Sequence, residues 1–182
     1  MIKNTDTIFL IITLLMLQSC QNSIYKYAEN WSTEVKRKII EDSNIEPDKT
    51  IFDTSSNNLT LFKEDKKLKF YHLVPTFDIN SKVTFYDTAV CIFYSSDQNF
   101  ELVRELCSVS DRRFEGIKYK GNHLGLAEFK YCDGNIKERG FRYNNKEVGK
   151  WTKFDSTGKV MEETDNSNLE QLKNLKDIKY YR

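Results

Sequence analysis

Few side chains in this sequence could do chemistry. The imidazoles are His72 and His123, and the thiols are Cys20, Cys91, Cys107 and Cys132. The histidines lack the His-x-x-x-His spacing that turns two rings toward one metal. No Cys-x-x-Cys pair suggests zinc. There is no Gly-x-Ser-x-Gly elbow for a nucleophile and no Gly-Lys-Ser/Thr loop for phosphates. Acidic residues are plentiful but scattered. A carboxylate pair of the kind that cleaves glycosides meets in space rather than in sequence, so a hydrolase stays as an alternative reading. On motifs alone the chain is not an enzyme, with no catalytic residue, metal ligand or cofactor. His72, in Phe70-Tyr71-His72-Leu73, reads as a strand residue. His123 reads as an exposed turn residue.

Cys20 is the thiol with a context. Lys3 opens the chain with positive charge, and Ile8 to Leu17 is apolar except for Thr13. That run has the length of a secretory signal and is shorter than the roughly 20 residues of a spanning helix. It ends in Leu17-Gln18-Ser19-Cys20, which resembles the lipobox of bacterial lipoproteins. The resemblance implies that residues 1–19 are a signal peptide, that Cys20 is the lipidation site, and that residues 20–26 are a lipidated polar linker. Gln21 stands where an aspartate would retain such a protein in the inner membrane. The implied location is therefore the cell envelope, lipid-anchored at the outer membrane. Several acyl chains on one cysteine make a stable anchor.

Residues 1–19 hold one lysine and one aspartate, so the mature chain keeps the net charge of +1. A balance this close to zero offers no electrostatic footprint for nucleic acid. Aromatic residues make up 13% of the chain, with ten tyrosines and twelve phenylalanines, which favours strands. With Cys20 set aside, Cys91, Cys107 and Cys132 are an odd number, which allows one disulfide and one free thiol in an oxidising compartment. Cys91, in Ala89-Val90-Cys91-Ile92-Phe93, reads as a core residue; which pair would bridge is open.

The elements that must position these residues follow from periodicity. Residues 27–48 form an N-terminal helical segment, with Trp31, Val35 and Ile39 as its apolar stripe. Residues 50–163 alternate aromatic or β-branched runs with polar clusters and read as a β-meander. A hairpin joins Thr60–Lys63 to Leu68–Tyr71; Val83–Tyr86, Ala89–Tyr94 and Phe100–Leu106 are further strands. Asp133-Gly134 predicts a type I′ turn. Residues 167–182 return to helical spacing through Leu169, Leu172, Leu175 and Ile178, with Ser167 and Glu170 spaced as a capping box.

An internal repeat organises the second half. Gly116-Ile117-Lys118-Tyr119-Lys120-Gly121-Asn122-His123-Leu124-Gly125 aligns with Gly140-Phe141-Arg142-Tyr143-Asn144-Asn145-Lys146-Glu147-Val148-Gly149 at an offset of 24 residues. Gly134-Asn135-Ile136-Lys137-Glu138 meets Gly158-Lys159-Val160-Met161-Glu162 at the same offset. Each unit reads as a hairpin that buries its apolar face only by stacking on neighbours. Tyr131-Cys132-Asp133-Gly134-Asn135-Ile136-Lys137-Glu138 and Val148-Gly149-Lys150-Trp151 make residues 114–163 resemble MORN-type repeats, in the variant found in antitoxin-component-like proteins. The resemblance implies a mainly β fold: an antiparallel β-meander of stacked hairpins, here with an N-terminal and a C-terminal helix. It implies a non-catalytic envelope lipoprotein whose sheet binds a protein or glycan partner, with Tyr119, Tyr143 and Trp151 as candidate contacts. The alternatives are an immunity or antitoxin-like protein against a secreted toxin, and an envelope hydrolase.

Overall fold

The computed structural model describes residues 4–107, 113–166 and 168–180. One long helix, α1 (Asn4–Ser43), precedes ten strands: β1 (Lys49–Asp53), β2 (Asn58–Lys63), β3 (Lys66–Phe77), β4 (Val83–Tyr94), β5 (Phe100–Glu105), β6 (Arg113–Tyr119), β7 (Asn122–Lys130), β8 (Ile136–Tyr143), β9 (Lys146–Phe154) and β10 (Val160–Asn166). A 3-10 helix follows at Leu169–Asp177. The strands lie in one sheet in chain order, every neighbour antiparallel. The protein is mainly β, an antiparallel meander flanked by an N-terminal and a C-terminal helix.

Strand alternation gives the sheet two different faces. On one, α1 lies across the strands. Ile24 and Ala28 join Leu124, Leu126, Phe141, Val148, Leu172 and Leu175 in one cluster. Val35 and Ile39 pack with Phe100, Leu102 and Ile117 in a second. The opposite face holds a third cluster built from strand residues alone: Val103, Phe114, Ala127, Phe129 and Trp151.

Two hydroxyls fix the register of α1 on the sheet. The Ser32 Oγ accepts the Leu126 N–H at 2.8 Å and donates to the Ala28 carbonyl at 2.7 Å. The Tyr25 hydroxyl accepts the Lys150 N–H at 2.6 Å. Leu126 and Lys150 are 24 residues apart, and each follows a glycine with positive φ, Gly125 at 75° and Gly149 at 62°. A side chain at Gly125 would strike the Ser32 Oγ at 2.5 Å, and one at Gly149 the Tyr25 hydroxyl at 2.6 Å. The repeat glycines therefore do two things: they take the left-handed conformation and let the helix approach the backbone.

Charge reinforces the same contact. Glu115 and Glu128 stand directly opposite each other on β6 and β7. The Lys36 ammonium lies 2.8 Å from Glu115 and 3.9 Å from Glu128. Arg104 pairs with Glu115 at 2.8 Å, and Arg139 lies 3.5 Å from Glu128. Burial by itself would push the Glu115 carboxyl up; Lys36 and Arg104 outweigh it and hold the group below the usual carboxylate range.

Several local expectations change. Residues 20–26, expected as a linker, continue α1, because Ile24 is buried against Leu172 and Leu175. Their polar residues Gln21, Asn22 and Ser23 form its exposed side. Within the 27–48 segment the helix is expected over residues 27–42 and ends at Ser43, with the Asn44 N–H bonded to the Glu41 carbonyl. Val83–Tyr94 is one strand, not two. Gly134 alone has positive φ in its turn, so Asp133-Gly134 is not type I′. The two-residue turns with both φ positive are Glu64-Asp65, Lys120-Gly121 and Asn144-Asn145. The C-terminal element is 3-10 rather than α. Its leucines recur every three residues, which makes a straight stripe only at 3.0 residues per turn. Leu172 and Leu175 are fully buried. The capping role of Ser167 lies outside the described residues.

Cys107 and Cys132 form a disulfide with their Cα atoms 5.8 Å apart, closing the chain around β6 and β7. Cys91 is a buried free thiol and Cys20 an exposed one.

Candidate interaction surface

The three aromatic residues proposed as contacts do not share a surface. Tyr119 and Tyr143 project toward α1 and the 3-10 helix, half-buried at the edge of the clusters there. Trp151 is on the other face, 4% exposed. The cause is strand alternation: the tyrosines lie an even number of positions from Ile117 and Phe141, while Trp151 lies three positions from the helix-facing Val148 and so points to the other face. These rings are core, and none is displayed as a stacking platform.

The Trp151 indole lies flat on the backbone of Gly140; a Cβ there would sit 1.9 Å from its Cε3. The equivalent glycine 24 residues earlier, Gly116, carries the Phe114 ring in the same way, at 2.5 Å. Phe114 and Phe129 have centroids 4.8 Å apart, and the Arg142 guanidinium lies over both Phe129 and Trp151, at 5.8 and 5.5 Å. This face is closed by its own rings and by an arginine whose stem covers them.

His123 belongs to this face and not to an exposed turn. It is the second residue of β7, half-buried, edge-on to Phe114 with centroids 5.4 Å apart. Burial pushes its pKa down to about 4, and the Arg142 and Lys118 charges push the same way. The sign follows from linkage. Between pH 6.5 and about 4 the unfolded chain takes up a proton that the folded chain refuses, so stability falls as pH falls through that window. Discounted for the solvent that still reaches the ring, the loss is about 1 kcal/mol. Replacing His123 with glutamine should make the thermal midpoint drop less between pH 7 and pH 4.5 than it does in the parent chain. Equal drops would exclude His123 as an acid-sensitive group. His72 is a strand residue as read, its Nδ1 2.9 Å from the Asn58 Oδ1.

Exposed apolar surface gathers elsewhere. Of eleven large apolar side chains exposed among the described residues, seven lie on β1 and the β3–β4 hairpin. That hairpin outruns its neighbours. β2 stops opposite His72 and β5 opposite Val90. Residues 73–88 therefore form a two-stranded arm. Pro75 is tolerated in it because a strand with one neighbour has a side from which no ladder donor is missing. The arm closes in a turn in which the Asp78 Oδ1 accepts the Asn80 and Lys82 N–H groups at 2.8 and 2.9 Å. Ile79 at the tip is fully exposed, with Phe77 at 56% and Phe85 at 58%. Val83 pairs with Phe77, and Tyr86 reaches across to Phe52 of β1, centroids 5.9 Å apart.

No protein family, curated protein sequence or solved structure matches this chain. Its own geometry is what separates the possible surfaces. The paired carboxylates Glu115 and Glu128 have Lys36 between them beneath α1, which makes them an ionic seam. Among the described residues no group of three histidine, cysteine or acidic side chains is placed to hold a metal. Likewise, no described helix is long and apolar enough to cross a membrane. Among the described residues, the arm carries five of the eleven exposed large apolar side chains, a concentration of the kind that marks an interaction site. Sequence reasoning passed over it because residues 50–110 carry no motif. The available signal was Phe77, Ile79, Val83 and Phe85 flanking a polar Asp-x-Asn-Ser turn, with apolar residues where an exposed hairpin tip would have charges.

Proposed function

We propose that this protein is a non-catalytic, lipid-anchored envelope lipoprotein that holds a protein-binding arm at the far end of a rigid sheet. The observation that carries this reading is the separation of the two ends. α1 leads from Tyr25 over β9, past Ser32 over β7, to Asp42 at the β4–β5 turn, where its carboxylate accepts the Ser96 N–H. Cys20 thus lies beyond the β9 end, and the apolar arm lies on β3 and β4. About six strand spacings, or roughly 29 Å along the sheet, separate β9 from β3. The lipobox-like residues supply the anchor, and the repeat supplies the spacer. Bulky apolar side chains without a surrounding set of polar donors suit a protein partner better than a glycan. The Cys107–Cys132 disulfide suits an oxidising compartment outside the cytosol.

The test places a photo-reactive amino acid at Phe77 or Phe85, and at Met161 on the opposite edge, in cells producing the chain. Protein adducts from the arm positions and none from Met161 are expected, together with loss of acyl label and membrane retention in Cys20→Ala. Adducts from Met161 alone, or an arm that captures nothing, would overturn the reading.

A further inference from the structure

We infer that the free edge of β1 pairs with β1 of a second copy, making a two-fold dimer with one continuous sheet. The inference rests on reading this end of the sheet as a docking surface and names one occupant for its edge.

A meander has two open edges, and here they are unlike. β10 is guarded: Glu162, Glu163 and Asp165 line it, and its pairing with β9 is broken by an irregularity between Val160 and Glu162. Charge and irregularity are the usual means of preventing strand addition. β1 has no irregularity, and its charges sit only at its two ends, Lys49 and Asp53. Its five residues, Lys49-Thr50-Ile51-Phe52-Asp53, are all exposed, and it pairs with β2 without a shift in register. Its centre is apolar or uncharged.

The sequence of this edge is complementary to itself. Laid antiparallel with Ile51 opposite Ile51 of the second copy, Lys49 faces Asp53 at one end and Asp53 faces Lys49 at the other. Thr50 faces Phe52 in both halves. Lys49, Ile51 and Asp53 point to the same face, so each charge pair flanks the central apolar pair. No other register in which both ends are paired satisfies both charges. An isologous contact of this kind closes at two copies and does not propagate. The two-fold axis is normal to the sheet, so both α1 helices lie on one face and both Cys20 residues lie at the outer ends.

The adjoining arm enlarges the contact. Tyr86 touches Phe52, so the apolar side of the arm borders the edge. Edge and arm together expose roughly 800 Å² of large apolar side chains, taking about 200 Å² for each whole side chain. A standard interface buries about 800 Å² on each partner.

The test uses the full chain in non-ionic detergent. Sedimentation equilibrium should give a protein mass of two chains. Under mild oxidation Ile51→Cys should cross-link to itself, whereas Thr50→Cys, displaced two residues from its own copy, should not. The parent chain, with Cys20 and Cys91, is the control. Lys49→Glu should weaken the dimer about tenfold, since it sets like charges opposite at both ends. A single-chain mass at 100 μM, a dimer that Ile51→Cys fails to trap, or equal cross-linking at positions 50 and 51 would overturn the inference. If Ile51→Cys cross-links but the photo-reactive arm captures only a second copy, the dimer stands and the separate protein partner falls.

Discussion

Replacing Gly140 with alanine should cost about 3 kcal/mol and loosen the β8–β10 end of the sheet. A Cβ at that position would lie 1.9 Å from the Trp151 indole, far inside van der Waals contact, and the atom it meets belongs to a rigid ring. The indole cannot turn aside without displacing Phe129 and the Arg142 guanidinium stacked over it. Moving it out would return up to about 200 Å² of ring to water, and forced overpacking of a closed core costs 1–3 kcal/mol or more. Gly158→Ala is the control. Gly158, unlike Gly140, has positive φ, 87°, but nothing lies within 4 Å of where its Cβ would be, so it should lose only about 1 kcal/mol of backbone strain. Urea unfolding checks both. The chain has two tryptophans, so fluorescence in a Trp31→Phe background reports Trp151 alone and should shift to the red in Gly140→Ala. Equal losses in the two alanine variants would show that the ring does not depend on the glycine.

The second large effect is expected at the disulfide. Cys107→Ser with Cys132→Ser should lower stability by about 3.5 kcal/mol, the value for releasing a closed loop of this length in the unfolded chain. The bridge joins the end of β5 to the β7–β8 turn across a separation of 25 residues. Reductant should lower the unfolding midpoint of the parent chain by the same amount and leave the double variant unchanged. Cys91 is buried and its thiol is pushed up by burial, so it should not substitute as a partner. Identical midpoints with and without reductant would remove the disulfide from the account of stability.

How far the sequence could be read depended on whether a period was present. The meander was legible because aromatic and β-branched runs are punctuated by polar turns. The pairing of Ile117 with Tyr119 and of Phe141 with Tyr143 on one face was legible from alternation. The stripe of α1 was read from Trp31, Val35 and Ile39. Its other half was not, because Ala28 and Ser32 are small and Ile24 sits among polar neighbours. Leu169, Leu172 and Leu175 were read as helical without the tighter turn that a period of three demands. Trp151 was placed with the tyrosines on the repeat motif alone, although its odd separation from Val148 already puts it on the other face. The turn at Gln98 shows the reverse case: at φ 60° it occupies a position that glycine takes in the turns at Gly134 and Gly158. Its side chain holds the Lys67 backbone through both N–H and carbonyl, at 3.1 and 2.9 Å. The arm went unread because nothing local distinguishes an unpaired strand extension from a paired one.

The spacing of the two hydroxyls on α1 sets a rule for how this protein could grow or shrink. Tyr25 and Ser32 are seven residues apart, about 10.5 Å along the helix; β9 and β7 are two strands apart, about 9.6 Å across the sheet. The helix is therefore a ruler whose seven-residue graduations count hairpins. A hairpin added to the sheet would leave its bulged glycine without a hydroxyl unless α1 lengthened by two turns. One removed would strand a hydroxyl over nothing. Length change in either element alone is mismatched, so keeping both contacts requires hairpin number and helix length to change together.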